Sequence, residues 1–140
     1  MDSHPQSLLP GATQKLAEFA AGIDYAVIPA EVIERMKTSF LDSVGCCLFG
    51  ATLPWTQRVQ AMIEDEGARP IASIFGTGKK TSVAGAVLVN ATAGHAFELD
   101  DIHKESIVHA GSIATPVVVA LAEQAGGASG KTLLTAMTTG

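Results

Sequence analysis

Between Asn90 and Pro116 the chain reads NATAGHAFELDDIHKESIVHAGSIATP. Four acids (Glu98, Asp100, Asp101, Glu105) and three histidines (His95, His103, His109) fall within fifteen positions, flanked by Ala- and Val-rich sequence. Charged groups are costly to bury, so a knot of carboxylates and imidazoles in an apolar setting calls for a reason. An imidazole and a carboxylate held side by side can take a proton from carbon beside a carboxylate group and return it. His95 and Glu98 are three apart and share a face if the preceding helix continues through them. The competing interpretation is a charged helix end, in which Asp100 pairs with Lys104 in solvent.

Other chemistries fit less well. The spacing H-x7-H-x5-H matches no compact metal-ligand pattern, so no metal is expected. Asp100-Asp101 begins like an acidic magnesium motif, but Lys104 puts a cation where a ligand is needed. GGASGKT has Ala125 where a phosphate-binding loop requires its first glycine, and it follows a helical stretch. It reads as a helix stop and a Ser129 cap. GTGKK at 76–80 lacks the third glycine of a dinucleotide fingerprint and reads as a solvated turn.

The elements that must position the cluster are helical. Thr13–Ile23 reads as a helix with Leu16, Phe19 and Ala20 inward, after a loose N-terminal tail of residues 1–11. Pro29 and Ala30 open a second helix in which Ile33, Met36, Phe40, Val44 and Cys47 form one apolar stripe, ending at Gly50. Pro54–Glu66 is a third, with Trp55, Val59 and Met62 on one face. Ile71–Phe75 is short and β-prone. Ser82 caps a helix to about Phe97, apolar nearly all round and therefore central. Leu99–Ala110 reads as a loop, Ser112–Ala125 as a helix with Pro116 in its first turns, and Gly130–Thr139 as a last helix. The fold class is all-α, with at most a short strand near Ile71–Phe75.

Composition agrees. Apolar residues make up 47% and aromatics 5%, which suits closely packed helices more than a sandwich of sheets. A net charge of −5 offers nucleic acid no electrostatic footprint. The N-terminus lacks the basic and apolar regions of a signal peptide, no apolar run is long enough for a membrane span, and Cys46 and Cys47 read as buried reduced thiols. A cytoplasmic location is expected.

These residues in combination resemble the MmgE/PrpD family, which includes 2-methylcitrate dehydratase, cis-aconitate decarboxylase and iminodisuccinate epimerase. LAEFAAGIDYAVIPAEVIERMKTSFLDSVGCCLFGA resembles its first helices. Asn90, the run His95-Ala96-Phe97-Glu98-Leu99-Asp100-Asp101 and then His109-Ala110-Gly111 resemble its Asn, its His-Ala-Leu-Asp-Phe-Asp-Asp and its His-Pro-Gly. LAEQAGGASGKTLLTAMTTG resembles the helix pair that follows. Three positions depart from the pattern: Glu98 for Asp, Ala110 for Pro, and Ile102 where decarboxylating members have Thr. The wording HAFELDDIH is closer to the epimerase-like branch than to the dehydratases.

The resemblance implies residues 12–140 are the N-terminal portion of the family's all-helical domain, in a subunit that continues beyond Gly140. It implies proton abstraction beside a carboxylate in a small di- or tricarboxylate, giving dehydration or epimerisation, with no organic cofactor. Glu98, Asp101 and His109 are the expected acid and base groups; His95 and Asp100 orient them, and Lys104 meets a substrate carboxylate. The family's other substrate-binding lysines fall past this stretch, so the 140-residue chain alone is expected to be inactive and the full-length form a homodimer. The alternative is a non-catalytic helical packing or dimerisation module.

Overall fold

The computed structural model describes residues 11–140. Most of the expected tail, residues 1–11, lies outside them. Six α-helices follow in chain order: α1 (Ala12–Gly22), α2 (Ala30–Gly50), α3 (Pro54–Asp65), α4 (Val83–Gly94), α5 (Ala110–Gln124) and α6 (Gly130–Thr139). The only sheet among the described residues is a two-residue antiparallel pair, β1 (Ala72–Ser73) with β2 (Lys80–Thr81), in register Ala72 to Thr81. The molecule is mainly helical, with β1 inside the expected Ile71–Phe75 stretch and its partner β2 beyond it, at the end of the segment expected to be a turn. No helix among the described residues is long and apolar enough to cross a membrane.

Helix α4 is the hub, packed against α2, α3 and α5. Ser82 starts it by accepting the Gly85 N–H at 3.1 Å. Small residues let the neighbours close in. A Cβ on Gly50 would fall on the backbone carbonyl of Ala93, so the end of α2 crosses α4 backbone to backbone. At the next α4 residue, Gly94 leaves room for the Cys47 thiol and for Ser112 of α5. Asn90 is fully buried on α4; its amide donates to the Ser73 carbonyl at 2.9 Å and its Oδ1 accepts the Phe75 N–H at 2.9 Å. The β1 segment is thus clipped to the hub by one side chain.

Of the expected α2 stripe, Ile33 and Cys47 are buried and Met36, Phe40 and Val44 are half-buried, while Ser43, Cys46 and Gly50 are buried beside them. Cys47 donates to the Asn90 carbonyl at 3.3 Å, and burial pushes its thiol pKa from 9.0 up to about 12. Native Cys47 is therefore expected to resist alkylation at pH 8 and to react once unfolded, as mass spectrometry of iodoacetamide-treated protein would report. The folded thiol holds its proton after the unfolded one has lost it, so this contribution is intact below pH 9 and is lost as pH rises toward 12.

Four expectations are corrected. No residue of α1 is buried, and Leu16 and Phe19 are exposed: nothing among the described residues covers that face. On α3 the buried side chains are Thr56 and Ile63, with Val59 beside them, while Trp55 and Met62 face out. The contact with α4 lies one position round the helix from the expected stripe. Helix α4 stops at Gly94, not Phe97, because the chain tightens into a turn there, with the Ala96 N–H bonded to Ala93 O at 3.2 Å. Helix α5 begins at Ala110, so Pro116 sits in its second turn.

The two glycine-containing lures resolve simply. Gly126 and Gly127 take positive φ angles of 83° and 119°, ending α5, and Ser129 accepts the Thr132 N–H to start α6. Lys79 pairs with Glu64 at 2.8 Å and Lys80 with Glu123 at 3.4 Å.

Candidate active site

The acidic and imidazole groups gather where α4 ends and α5 begins. The 95–109 segment leaves α4 through a turn and carries Glu98 in the left-handed region, at φ 57°. That conformation is uncommon for a residue with a side chain. It brings the chain round so that Asp100 points inward beneath His95.

Asp100 is the centre of the arrangement. Its side chain is 0% exposed. Both carboxylate oxygens lie 3.1 Å from His95 Nδ1. His109 Nδ1 lies 3.3 Å from Asp100 Oδ1, within ion-contact range but off line for a hydrogen bond, and this nitrogen is buried with no other partner. The two rings meet edge to face, with centroids 4.5 Å apart. Glu98 Oε1 approaches the outer nitrogen of His95, Nε2, at 3.2 Å, and its side chain is 74% exposed. The result is a row of touching groups, Glu98, His95, Asp100 and His109, with the buried carboxylate between the two imidazoles.

Asp101 faces elsewhere. Its Oδ1 accepts the Gly111 N–H at 2.8 Å, at the start of α5. This bond supplies an acceptor to a helix terminus that would otherwise begin later, which accounts for the early start of α5. Lys104 is exposed, and the solvated pair of Asp100 with Lys104 does not form, since Asp100 is buried against imidazoles. His103 stands apart: its Nδ1 contacts Ser106 Oγ at 2.8 Å, and its backbone bridges to Val108. Of the sequence-derived set, Glu98, His95, Asp100 and His109 come together, and Asp101 and Lys104 do not join them. Ser43, Gly111 and Ser112, which pack together at the start of α5 just after His109, were absent from that set.

Beside the rings opens a cavity of about 380 Å³, walled by Ala91, Ile107, Val108, Ser112 and Ile113 together with His95 and His109. Two imidazoles backed by a buried carboxylate at the edge of such a hollow can accept or deliver a proton to a molecule in it. Cationic support is scarce: among the described residues no lysine or arginine pairs with any member of the cluster. His95, Asp100 and His109 also bring ligand-type atoms within 4.8 Å of one another. Three donors are fewer than the four of a closed zinc site, though an open site needs only three.

Residues 14–140 match the MmgE/PrpD N-terminal domain. The chain belongs to the MmgE/PrpD family. It is 35% identical over 125 residues to a cis-aconitate decarboxylase of Aspergillus terreus, an alignment covering 87% of this chain and 24% of that protein. It is 30% identical over 122 residues to the cis-aconitate decarboxylase-like protein oryM of Aspergillus oryzae, covering 87% of this chain and 25% of that one. The chain thus spans about a quarter of the length of these curated relatives. The MmgE/PrpD segment seen here includes the whole stretch from α4 to α5 that holds the histidines.

Proposed function

We propose that this MmgE/PrpD chain supplies the proton-transfer half of an enzyme acting at carbon beside a carboxylate in a small di- or tricarboxylate. One observation carries the reading: a fully buried carboxylate, Asp100, facing the Nδ1 atoms of both His95 and His109 at the edge of a cavity. A carboxylate behind an imidazole fixes its orientation and tautomer, leaving the outer nitrogen to work on a substrate. Here the outer nitrogen of His95 meets Glu98, which opens a route for the proton to solvent. His109 acts at the carbon, with Glu98 and His95 receiving or resupplying the proton. Departure of hydroxide from the resulting carbanion gives dehydration, and return of the proton on the other face gives epimerisation.

A second reading is decarboxylation, favoured by the names of the relatives. It uses the same groups in reverse order: carbon dioxide leaves first, and the cluster protonates the carbanion. Against it, Ile102, which departs from the threonine that the family resemblance implies for decarboxylating members, stands exposed in the 95–109 segment.

The test is incubation of the full-length protein in deuterated water with a panel of citrate-like, aconitate-like and aspartate-like acids. Deuterium should enter the position beside a carboxylate. Release of carbon dioxide in step with deuterium uptake would establish the second reading, and no exchange with any acid would leave the helical packing module as the function. The 140-residue chain alone is expected to show no exchange, because the developing negative charge needs cations and the cluster has none paired to it.

A further inference from the structure

We propose that Asp101 is a positioning residue that holds His109 through the backbone of α5, and that it exchanges no proton with substrate; this rests on the proton-transfer reading above. Helix α5 begins at Ala110 with His109 as its cap residue, and the His109 side chain makes no capping bond. The first N–H groups of a helix need acceptors from outside it. Asp101 provides one from ten residues earlier, its Oδ1 accepting from Gly111 N at 2.8 Å.

The fit around that bond is close. A Cβ on Gly111 would collide with Asp101 Oδ1 on one side and Ser43 Oγ on the other. Ser43 is itself buried and fixed, donating to the Ser39 carbonyl of α2 at 2.8 Å. Ser112 Oγ donates to the His109 carbonyl at 3.0 Å. The backbone after His109 is thereby gripped at two points. Asp100, the preceding residue, meets the ring of the same histidine. Two consecutive acids divide the task, one setting the ring and the other setting the chain that carries it. Asp101 has no place in the wall of the cavity.

Asparagine and alanine separate this role from acid–base work. Asn keeps an Oδ1 that accepts the Gly111 N–H but cannot carry a proton; Ala keeps neither. In the full-length protein, Asp101→Asn should retain kcat within about fivefold, the scale of weakening one hydrogen bond. Asp101→Ala should lower kcat by about ten- to a hundredfold with little change in KM, as expected when a reacting group is displaced by about 1 Å. Both variants should keep the two limbs of the wild-type pH profile. Nuclear magnetic resonance of protein labelled at glycine and histidine reads the tether without turnover. The Gly111 amide should stay protected from exchange in Asp101→Asn and lose protection in Asp101→Ala, with His109 ring signals moving only in the latter. Loss of a pH limb and of most activity in Asp101→Asn would overturn the proposal, as would an unchanged Gly111 amide in Asp101→Ala. If Asp101→Ala does not fold, Asp101→Asn alone decides between the two outcomes. If the wild type exchanges no acid, the proton-transfer reading falls while the resonance experiment still judges the tether.

Discussion

Gly50→Ala is expected to destabilise the domain by about 3 kcal/mol or more, while Gly45→Ala in the same helix stabilises it by about 0.5–1 kcal/mol. The substitution is identical and the helical propensity gain is the same. The difference lies in what the new methyl meets. At Gly45 there is open space. At Gly50 the methyl would land on the backbone carbonyl of Ala93, and no rotamer change can move a backbone aside. Helices α2 and α4 must then separate, which also disturbs the packing of Cys47 against Gly94, the last residue before the His95 turn. Urea unfolding of the two variants beside the wild type gives both values. Equal effects at the two positions would show that the α2–α4 crossing tolerates a wider spacing than its geometry implies.

Much of this architecture was legible in the sequence because it follows from local rules. The α2 stripe repeats every three to four residues, and Ser82 and Ser129 stand where helices need an acceptor. What failed was the choice of face. On α3, Trp55–Val59–Met62 and Thr56–Val59–Ile63 are both apolar enough to be a stripe, and they share Val59. Size and hydrophobicity favoured the first; the position of α4 selected the second. Periodicity reports that a helix has a buried side, and the neighbour decides which one. Leu16 and Phe19 of α1 show the same limit, since a face with nothing over it cannot be told from a buried one by spacing.

The site divides in a similar way. The sequence marked the cluster by its density of acids and histidines, and it named Glu98, His95, Asp100 and His109, which converge. It could not assign tasks within the cluster. Asp100 and Asp101 are adjacent and chemically alike, yet one is buried against two imidazoles and the other bonds a helix start. That division depends on the turn after Gly94 and the left-handed Glu98, neither of which has a sequence signature in a non-glycine residue. Ser43 and Gly111 were missed because their contribution is contact across α2 and α5, where a small residue looks like any other.

His109→Ala should lower solvent deuterium incorporation by the full-length protein by about a thousandfold, and Asp100→Asn by about a hundredfold, within the range that a placed acid or base contributes. The ordering comes from distance to the chemistry. His109 lines the cavity, and in the proposed reaction its imidazole is the group that meets the carbon. Asp100 lines no wall of it and has 0% of its side chain exposed, so it acts only through the rings. Asparagine fills the same space, but its amide nitrogen presents hydrogens where the carboxylate offered oxygens, one hydrogen-bonded by His95 and in contact with His109. His95 or His109 must then turn or change tautomer, and the residual rate reflects the fraction still aimed correctly. Continued protection of Cys47 from alkylation in Asp100→Asn separates a change at the site from loss of the fold. Full activity in Asp100→Asn would reduce the carboxylate to a packing element, and full activity in His109→Ala would move the proton transfer to His95 and Glu98.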